Sequence, residues 1–126
     1  MTGTVRSHVT THVLDGSRGR PAVGVTVRLT APDGTVVATA VTDADGRVGE
    51  LGPPALAPGT WSLTFETGAY YAALAVDTFY PAVTVAFTVP ATEEVPALDA
   101  PGPARTAHLH VPLLLSPYAY STYRGS

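Results

Sequence analysis

Three segments of the chain alternate apolar with polar residues, and this alternation constrains the fold more than any other feature. The segments are residues 25–30, 61–66 and 83–89. Successive side chains of a β-strand point to opposite faces of the sheet, so the pattern predicts strands with one buried and one solvated face. A helix would instead repeat its apolar residues about every 3.6 positions. We therefore expect a protein built mainly from strands.

Four further segments are rich in β-branched and aromatic residues and predict strands at residues 5–14, 35–42, 107–115 and 118–123. Turn-forming sequences, such as Pro-Asp-Gly at 32–34, separate the strands. Short strands with such turns between them are typical of an antiparallel β-sandwich. Because proline has no backbone N–H, Pro112 predicts that its strand lies at a sheet edge or carries a bulge there.

Two stretches depart from the strand pattern. The sequence AYYAALAV at residues 69–76 predicts one short helix between two strands. Residues 91–104, rich in Pro, Ala and Glu, predict an exposed loop rather than a linker between domains. At 126 residues the chain fits one domain, residues 1–126, which is large enough to bury about 70% of its unfolded surface.

The low charge of the chain bears on its partners. Apolar residues make up 45% and charged residues 13% of the sequence, which indicates that other copies of the chain cover part of the surface. The net charge is -3 and the seven basic residues, all arginines, are scattered, so we expect no nucleic-acid partner. No segment approaches the ~18 apolar residues of a membrane span, and the N-terminus lacks the apolar stretch of a signal peptide. We expect a soluble, cytoplasmic protein that does not enter a membrane.

Several reaction mechanisms are excluded because the residues that they need are missing from the sequence. The chain has no lysine and no cysteine, which excludes Schiff bases, thiolate nucleophiles, disulfides and cysteine metal sites. It contains no G-x-S-x-G sequence for a serine nucleophile. Neither of the glycine-rich phosphate-binding sequences is present.

Four histidines remain as candidates for chemistry: His8, His12, His108 and His110. Residues two apart on a strand share a face, so His108 and His110 point the same way, and so do His8 and His12. They are either polar residues on a solvated face or part of a zinc or copper site, in which an H-x-H pair joins a distant third histidine. The spacing alone leaves both interpretations open.

Five stretches, which together span nearly the whole chain, carry a resemblance to one family. They are THVLDGSRGRPAVGV (11–25), TDADGRV (42–48), FETGAYY (65–71), FYPAVTVAF (79–87) and HLHVPLLLSPYAYSTYRGS (108–126). The sequence resembles the transthyretin-like family, and within it the enzymatic branch that hydrolyses 5-hydroxyisourate in urate breakdown. The stretch at 108–126, with its Y-R-G-S ending, is the most specific of the five.

The resemblance implies a fold, an assembly and a reaction. The family fold is an all-β sandwich of two four-stranded sheets with one short helix. It assembles as a homotetramer whose sites open into a central channel. The implied reaction converts 5-hydroxyisourate to 2-oxo-4-hydroxy-4-carboxy-5-ureidoimidazoline, and we expect it to need no cofactor and no metal.

The resemblance also implies a set of site residues. Those expected to be catalytic are His12, Arg47, His110 and Ser126. Those expected to bind the substrate are His12, Arg47, His108, Tyr123, Arg124 and Gly125. The last residues of the chain would then form a wall of the site, so we expect them to be ordered.

Two other functions share parts of this pattern. A transthyretin-like carrier would bind a small ligand in the same channel without catalysis, but it is expected to replace the histidines and the Y-R-G-S ending. A metal-binding sandwich would use His12, His108 and His110, and zinc held there would inhibit hydrolysis by occupying the base.

Overall fold

The computed structural model describes residues 7–91 and 108–125, which form two β-sheets and a short helix. The elements, in chain order, are β1 (Val9–Asp15), β2 (Arg20–Pro21), β3 (Thr26–Thr30), β4 (Val36–Val41), β5 (Arg47–Val48), β6 (Gly59–Phe65), α1 (Thr67–Ala73), β7 (Val83–Val89), β8 (Leu109–Ser116) and β9 (Ala119–Thr122). The mainly β fold expected from the period-two alternation is confirmed.

The strands form two sheets. The first sheet has the order β2-β1-β8-β9, with β5 also paired to β1, and the second has the order β4-β3-β6-β7. Neighbouring strands are antiparallel except β1 and β8, which run parallel. The predicted sandwich with one short helix is confirmed, although the first sheet has five strands where four were expected. The strands β2 and β5 are two residues each and share one edge of β1, with β5 beside Thr11 and His12 and β2 beside Leu14 and Asp15.

Alternate residues of the strands fill the space between the two sheets. On β1 the side chains of Val9, Thr11 and Val13 are buried in this core, and so are those of Leu29 and Leu63 from the second sheet. The same alternation turns every second residue of β1 and β8 toward the outer face of the first sheet. This outer face carries the candidate site.

The helix α1 is confirmed as an element, but it begins two residues earlier and ends three residues earlier than the predicted 69–76. Its first residue, Thr67, donates its hydroxyl hydrogen to the carbonyl of Tyr80. Its end is set by Ala75, which has a left-handed backbone (φ 57°) that interrupts a right-handed helix. Tyr70 and Tyr71 lie on the buried side of the helix.

The expectation for Pro112 was wrong, because β8 lies between β1 and β9 and pairs with β1 without a break. The carbonyl of Pro112 accepts a hydrogen bond from the hydroxyl of Thr122, so it faces the β9 side. Since the N and C=O of one strand residue point to the same side, the missing N–H also faces that side. Pro112 lies one residue beyond Leu113, where the β8–β9 pairing ends, so a central strand tolerates it.

The remaining predicted strands agree with β1, β4, β8 and β9 to within a few residues. The short strands β2 and β5 were not predicted, because two residues carry no periodicity. Parts of three predictions lie outside the described residues: 5–6 of the first strand, 92–104 of the loop and 107 of the strand predicted at 107–115. Within residues 7–91 and 108–125, no helix is long and apolar enough to cross a membrane.

Candidate active site

The outer face of the first sheet collects three of the four histidines. Thr10 of β1 lies opposite His110 of β8 in the parallel register, and His12 follows on the same face. His108 precedes β8, and its ring is nearly parallel to that of His110, with centroids 6.4 Å apart and an interplanar angle of 19°. The prediction that the H-x-H pair shares a face is therefore confirmed.

His8, the fourth histidine, precedes β1 and contacts the loop before β6. Its side chain is buried, and its Nδ1 accepts a hydrogen bond from the N–H of Leu56 at 2.9 Å. The backbone N–H of His8 also donates to the carbonyl of Pro53. His8 thus anchors the loop before β6, and the shared face expected for His8 and His12 stays a prediction.

Arg47 is brought to the same face by β5, where it pairs with His12. The turn before it is held by Asp43, whose Oδ1 accepts hydrogen bonds from the backbone N–H groups of Asp45 and Arg47. These two bonds, first that from Arg47, lower the pKa of Asp43 below its ordinary value. Gly46 is required in the turn because its φ is 75° and a Cβ there would lie 2.4 Å from the Val13 carbonyl oxygen. The turn DADGR therefore places Arg47 opposite His12 on this face.

His12 is half-buried, and its tautomer is set by the same turn. Its Nε2 lies 2.9 Å from the carbonyl oxygen of Asp45. A carbonyl oxygen can only accept, so Nε2 carries the hydrogen, and Nδ1 of the neutral ring keeps its lone pair. The arrangement leaves Nδ1 of His12 able to take up or hold a proton.

His110 is half-buried and electrostatically perturbed. Burial lowers the pKa of His110 below 6.5, and electrostatic repulsion from His108, Arg47 and His12 lowers it further. A lowered pKa keeps the ring neutral near pH 7, which is the state that accepts a proton.

The C-terminal residues run beside β8 and reach His110. The N–H of Gly125 donates to the carbonyl of His110 at 2.8 Å. This pair continues the antiparallel register of β8 and β9. A Cβ at position 125 would lie 2.5 Å from Cδ2 of His110 and 3.2 Å from Cγ of Pro112. The glycine of the Y-R-G-S ending is therefore needed for the chain to lie against the His110 ring.

Tyr123 and Arg124 lie at the margin of this arrangement. Both are exposed, and both line a cavity of about 310 Å³ together with His110 and residues of β7, among them Val85 and Phe87. Ser126, expected to be catalytic, lies outside the described residues. Among the residues that the structure describes, the predicted site residues His12, Arg47, His108, His110 and Gly125 lie on or beside this face. Tyr123 and Arg124 share a cavity with His110.

Sequence reasoning missed one polar member of this face. The hydroxyl of Thr10 lies 2.8 Å from Nε2 of His108 and 2.9 Å from Nδ1 of His110. Its position two residues before His12 on a strand already placed it on the histidine face. The parallel register that brings it beside His110 could not be read from the sequence.

The histidines of this face are not arranged as a metal centre. Across residues 7–91 and 108–125, no three His, Cys, Asp or Glu side chains form a group that could hold a metal ion. The zinc or copper interpretation of the H-x-H pair therefore lacks a converging third ligand in this part of the chain.

A sandwich of two β-sheets with one short helix, arranged as here, is a transthyretin-like fold. A family model described as HIUase/Transthyretin family matches residues 9–125. The chain belongs to the HIUase/Transthyretin family.

Proteins similar to this chain include three that are named as 5-hydroxyisourate hydrolases. The 5-hydroxyisourate hydrolase of Salmonella typhimurium is 43% identical over 119 residues, which cover 91% of this chain and 78% of that protein. The 5-hydroxyisourate hydrolase of Mus musculus is 41% identical over 129 residues, with 98% of both chains covered. The structure of Klebsiella pneumoniae 5-hydroxyisourate hydrolase superposes with a TM-score of 0.76 at 36% identity, over 94% of this chain and 98% of that one.

Proposed function

We propose that this protein is an enzyme of urate catabolism that hydrolyses 5-hydroxyisourate to 2-oxo-4-hydroxy-4-carboxy-5-ureidoimidazoline. The names of the similar proteins from Salmonella typhimurium and Mus musculus support the substrate. One structural observation supports the chemistry: two imidazoles from distant parts of the chain, His12 and His110, share a sheet face with the guanidinium of Arg47.

The reaction adds water to a ring carbonyl of the substrate and breaks the neighbouring C–N bond, so it needs a proton acceptor, a proton donor and a group that stabilises an oxyanion. His12 and His110 form the acid–base pair. One imidazole takes a proton from the attacking water, and a proton is returned to the leaving nitrogen. The low pKa of His110 favours this role, because the ring is neutral at the pH at which it must accept a proton.

Arg47 stabilises the negative charge that develops on the carbonyl oxygen. A guanidinium is permanently charged and planar, and its N–H groups can donate to two oxygens at once. Fixed donors at a carbonyl that gains charge are among the largest contributions to catalysis. The hydrogen bonds of Asp43 to the turn hold the Arg47 backbone in place for this task.

The C-terminal residues complete the site in this proposal. Tyr123 contacts the flat ring of the substrate, while His108, Arg124 and Gly125 contribute to the substrate-binding wall. Ser126 orients the water or the substrate, and its loss slows the reaction without unfolding the chain.

We further propose that the working form is a homotetramer of single-domain chains (residues 1–126) in the cytoplasm. Three apolar or aromatic side chains near the outer edge of the first sheet support association, since Leu114, Tyr118 and Tyr120 are exposed by 37%, 66% and 43%. Exposed apolar surface of this kind is typical of contacts between protein chains. The tetramer would enclose the histidine face in a channel that limits access of bulk water.

The test is the decay of ultraviolet absorbance of 5-hydroxyisourate generated in place by urate oxidase, with and without this protein. His12→Ala, Arg47→Ala and His110→Ala are each expected to lower turnover by about 10²- to 10⁴-fold, the usual contribution of an acid–base group or oxyanion donor. Arg20→Ala serves as the matched control for Arg47→Ala, because Arg20 lies on the other short strand beside β1 and is exposed. If this protein is a carrier without catalysis, adding the wild-type protein will not change the rate of absorbance decay. That result would overturn the proposal.

A further inference from the structure

The hydroxyl of Thr10 connects two histidines that the proposed reaction treats separately. It lies 2.8 Å from Nε2 of His108 and 2.9 Å from Nδ1 of His110, both within normal hydrogen-bonding distance. Thr10 is only 7% exposed, so water has little access to compete for these bonds. The three side chains therefore form one chain of hydrogen bonds: His108, Thr10, His110.

The number of available hydrogens restricts how these three side chains can be hydrogen-bonded. A threonine hydroxyl has one hydrogen to donate and lone pairs with which to accept. The Thr10 hydroxyl can donate to only one of the two imidazoles, so when both hydrogen bonds form it accepts from the other. When His110 Nδ1 carries a hydrogen and donates it to Thr10, the hydroxyl donates to His108 Nε2, and Nε2 of neutral His110 keeps its lone pair. If Thr10 instead donated to Nδ1 of His110, Nε2 of the neutral ring would carry the hydrogen and could not accept one.

The position of the ring favours the direction in which His110 donates. Nδ1 of His110 faces the Thr10 hydroxyl, so Nε2 is the ring nitrogen that can meet water, and the proposed role as a base requires Nε2 to be without a hydrogen. Nδ1 then carries the hydrogen of the neutral ring and donates it to Thr10. On the opposite edge of the ring, Cδ2 lies against Gly125 so closely that a Cβ there would be at 2.5 Å. The ring is held on both edges, and its tip, which contains Nε2, is left to meet a ligand.

We infer that Thr10 is a positioning residue: its hydroxyl accepts from Nδ1 of His110, donates to His108, and so presents Nε2 of His110 as the acceptor for the attacking water. This inference rests on the proposed hydrolysis of 5-hydroxyisourate. Thr10 itself touches neither water nor substrate and acts through the tautomer and orientation of His110. His108 receives the Thr10 hydrogen at its Nε2.

The tautomer can be measured without the reaction. In protein with ¹⁵N-labelled histidine, the nitrogen signals of neutral His110 are expected to show a protonated Nδ1 and an unprotonated Nε2. In Thr10→Val, which keeps the branched shape but removes the hydroxyl, the two signals should move toward each other, because the bond that fixes the tautomer is gone. Thr10→Ser keeps a hydroxyl and should retain the wild-type pattern.

The neighbouring residue supplies a matched control. Thr11 is on the same strand, is 1% exposed, and donates its hydroxyl hydrogen to the carbonyl of Val111 at 2.6 Å on the core side. Thr11→Val therefore removes a comparable buried hydrogen bond without touching His110. It is expected to lower stability while leaving the His110 signals and turnover number unchanged.

The kinetic expectation is a fall in kcat with little change in KM. Misplacement of a reacting group by about 1 Å can cost about 10²-fold, so kcat of Thr10→Val should fall by one to two orders of magnitude and Thr10→Ser should recover most of the loss. Unchanged His110 signals in Thr10→Val would overturn the inference, and so would moved signals with an unchanged kcat. If the wild-type protein fails to hydrolyse 5-hydroxyisourate, the proposed function falls, while the nitrogen signals still decide whether Thr10 sets the His110 tautomer.

Discussion

At the scale of single residues, the site depends on small groups that hold the imidazoles in place. The carbonyl of Asp45 fixes the tautomer of His12, and the hydroxyl of Thr10 bonds to His110. Gly125 has no side chain and so permits the C-terminal chain to lie against the His110 ring. None of these three groups carries a charge, and each contacts one of the two imidazoles.

The first prediction at this scale concerns Gly125→Ala. The new Cβ would lie 2.5 Å from Cδ2 of His110, and the ring cannot move away without breaking its bond to Thr10. A displacement of about 1 Å at a reacting group can cost about 10²-fold, so we expect kcat to fall by one to two orders of magnitude. Steady-state kinetics on 5-hydroxyisourate provide the measurement.

The matched control for this substitution is Gly49→Ala, because a Cβ at position 49 would meet no heavy atom within 4 Å. Gly49→Ala should retain wild-type kinetics. Full activity of Gly125→Ala would show that the C-terminal chain does not position the His110 ring.

At the scale of secondary-structure elements, a buried carboxylate ties the helix α1 to strand β1. Asp15, at the end of β1, is 1% exposed, and its oxygens accept hydrogen bonds from the hydroxyls of Tyr70 at 2.8 Å and Ser17 at 2.6 Å. Burial raises the pKa of Asp15, but the hydrogen bonds from Ser17, Tyr70 and the backbone N–H of Arg18 outweigh it, so the pKa lies below 3.8. Burial also raises the pKa of Tyr71 to about 12, which keeps its hydroxyl protonated.

This tie predicts a pH-dependent loss of stability in Tyr70→Phe. Removing a hydrogen bond to a buried charged group should lower the free energy of unfolding by about 1.5–3 kcal/mol at pH 7. Because the folded-state pKa of Asp15 is lowered, its contribution is complete above its ordinary value of 3.8 and is lost as the pH falls through the folded-state pKa. The difference between wild type and variant should therefore be constant from about pH 7 to 5 and shrink below about pH 4.

Chemical denaturation at a series of pH values measures this difference. Tyr71→Phe is the comparison, since the Tyr71 hydroxyl lies farther from Asp15, at 3.4 Å, and its loss should cost less. A Tyr70→Phe penalty that stays the same at pH 3 would contradict the assigned role of the Asp15 carboxylate.

At the scale of the whole molecule, the histidine face and the exposed apolar side chains of β8 and β9 belong to the same sheet. An enzyme site on an open sheet face is accessible to bulk water, whereas exclusion of water strengthens electrostatic stabilisation of charge. Association of copies through this sheet would supply that exclusion. Assembly and activity are therefore expected to be coupled.

The prediction at this scale is that Leu114→Asp dissociates the proposed tetramer and lowers activity. Leu114 is 37% exposed on the outer face of the first sheet, and a carboxylate buried there in a contact would be destabilising. Val37→Asp is the matched control, because Val37 is exposed to a similar extent, 41%, in the second sheet. Sedimentation velocity should show smaller species for Leu114→Asp alone, and an intact tetramer in that variant would contradict the coupling.

Much of the fold and part of the site followed from the sequence. Alternation with period two is a local property, so it predicted the strands, the buried residues such as Leu29 and Leu63, and the shared face of His108 and His110. The resemblance of the motifs to the family indicated that His12, Arg47 and His110 belong to one site. Their roles in catalysis stay a prediction. Local sequence was less reliable for the ends of α1 and for β2 and β5, because helix ends and two-residue strands depend on contacts with distant residues.

What only the tertiary structure decided is which residues meet. The parallel pairing of β1 with β8 joins segments about a hundred positions apart, and it places Thr10 between two histidines and Pro112 in a central strand. No local pattern specifies a partner strand or its register, since these are chosen by burial of the whole core. Sequence alone determined that polar residues would line one face of a strand. The register of the sheet determined that they form a connected chain of hydrogen bonds.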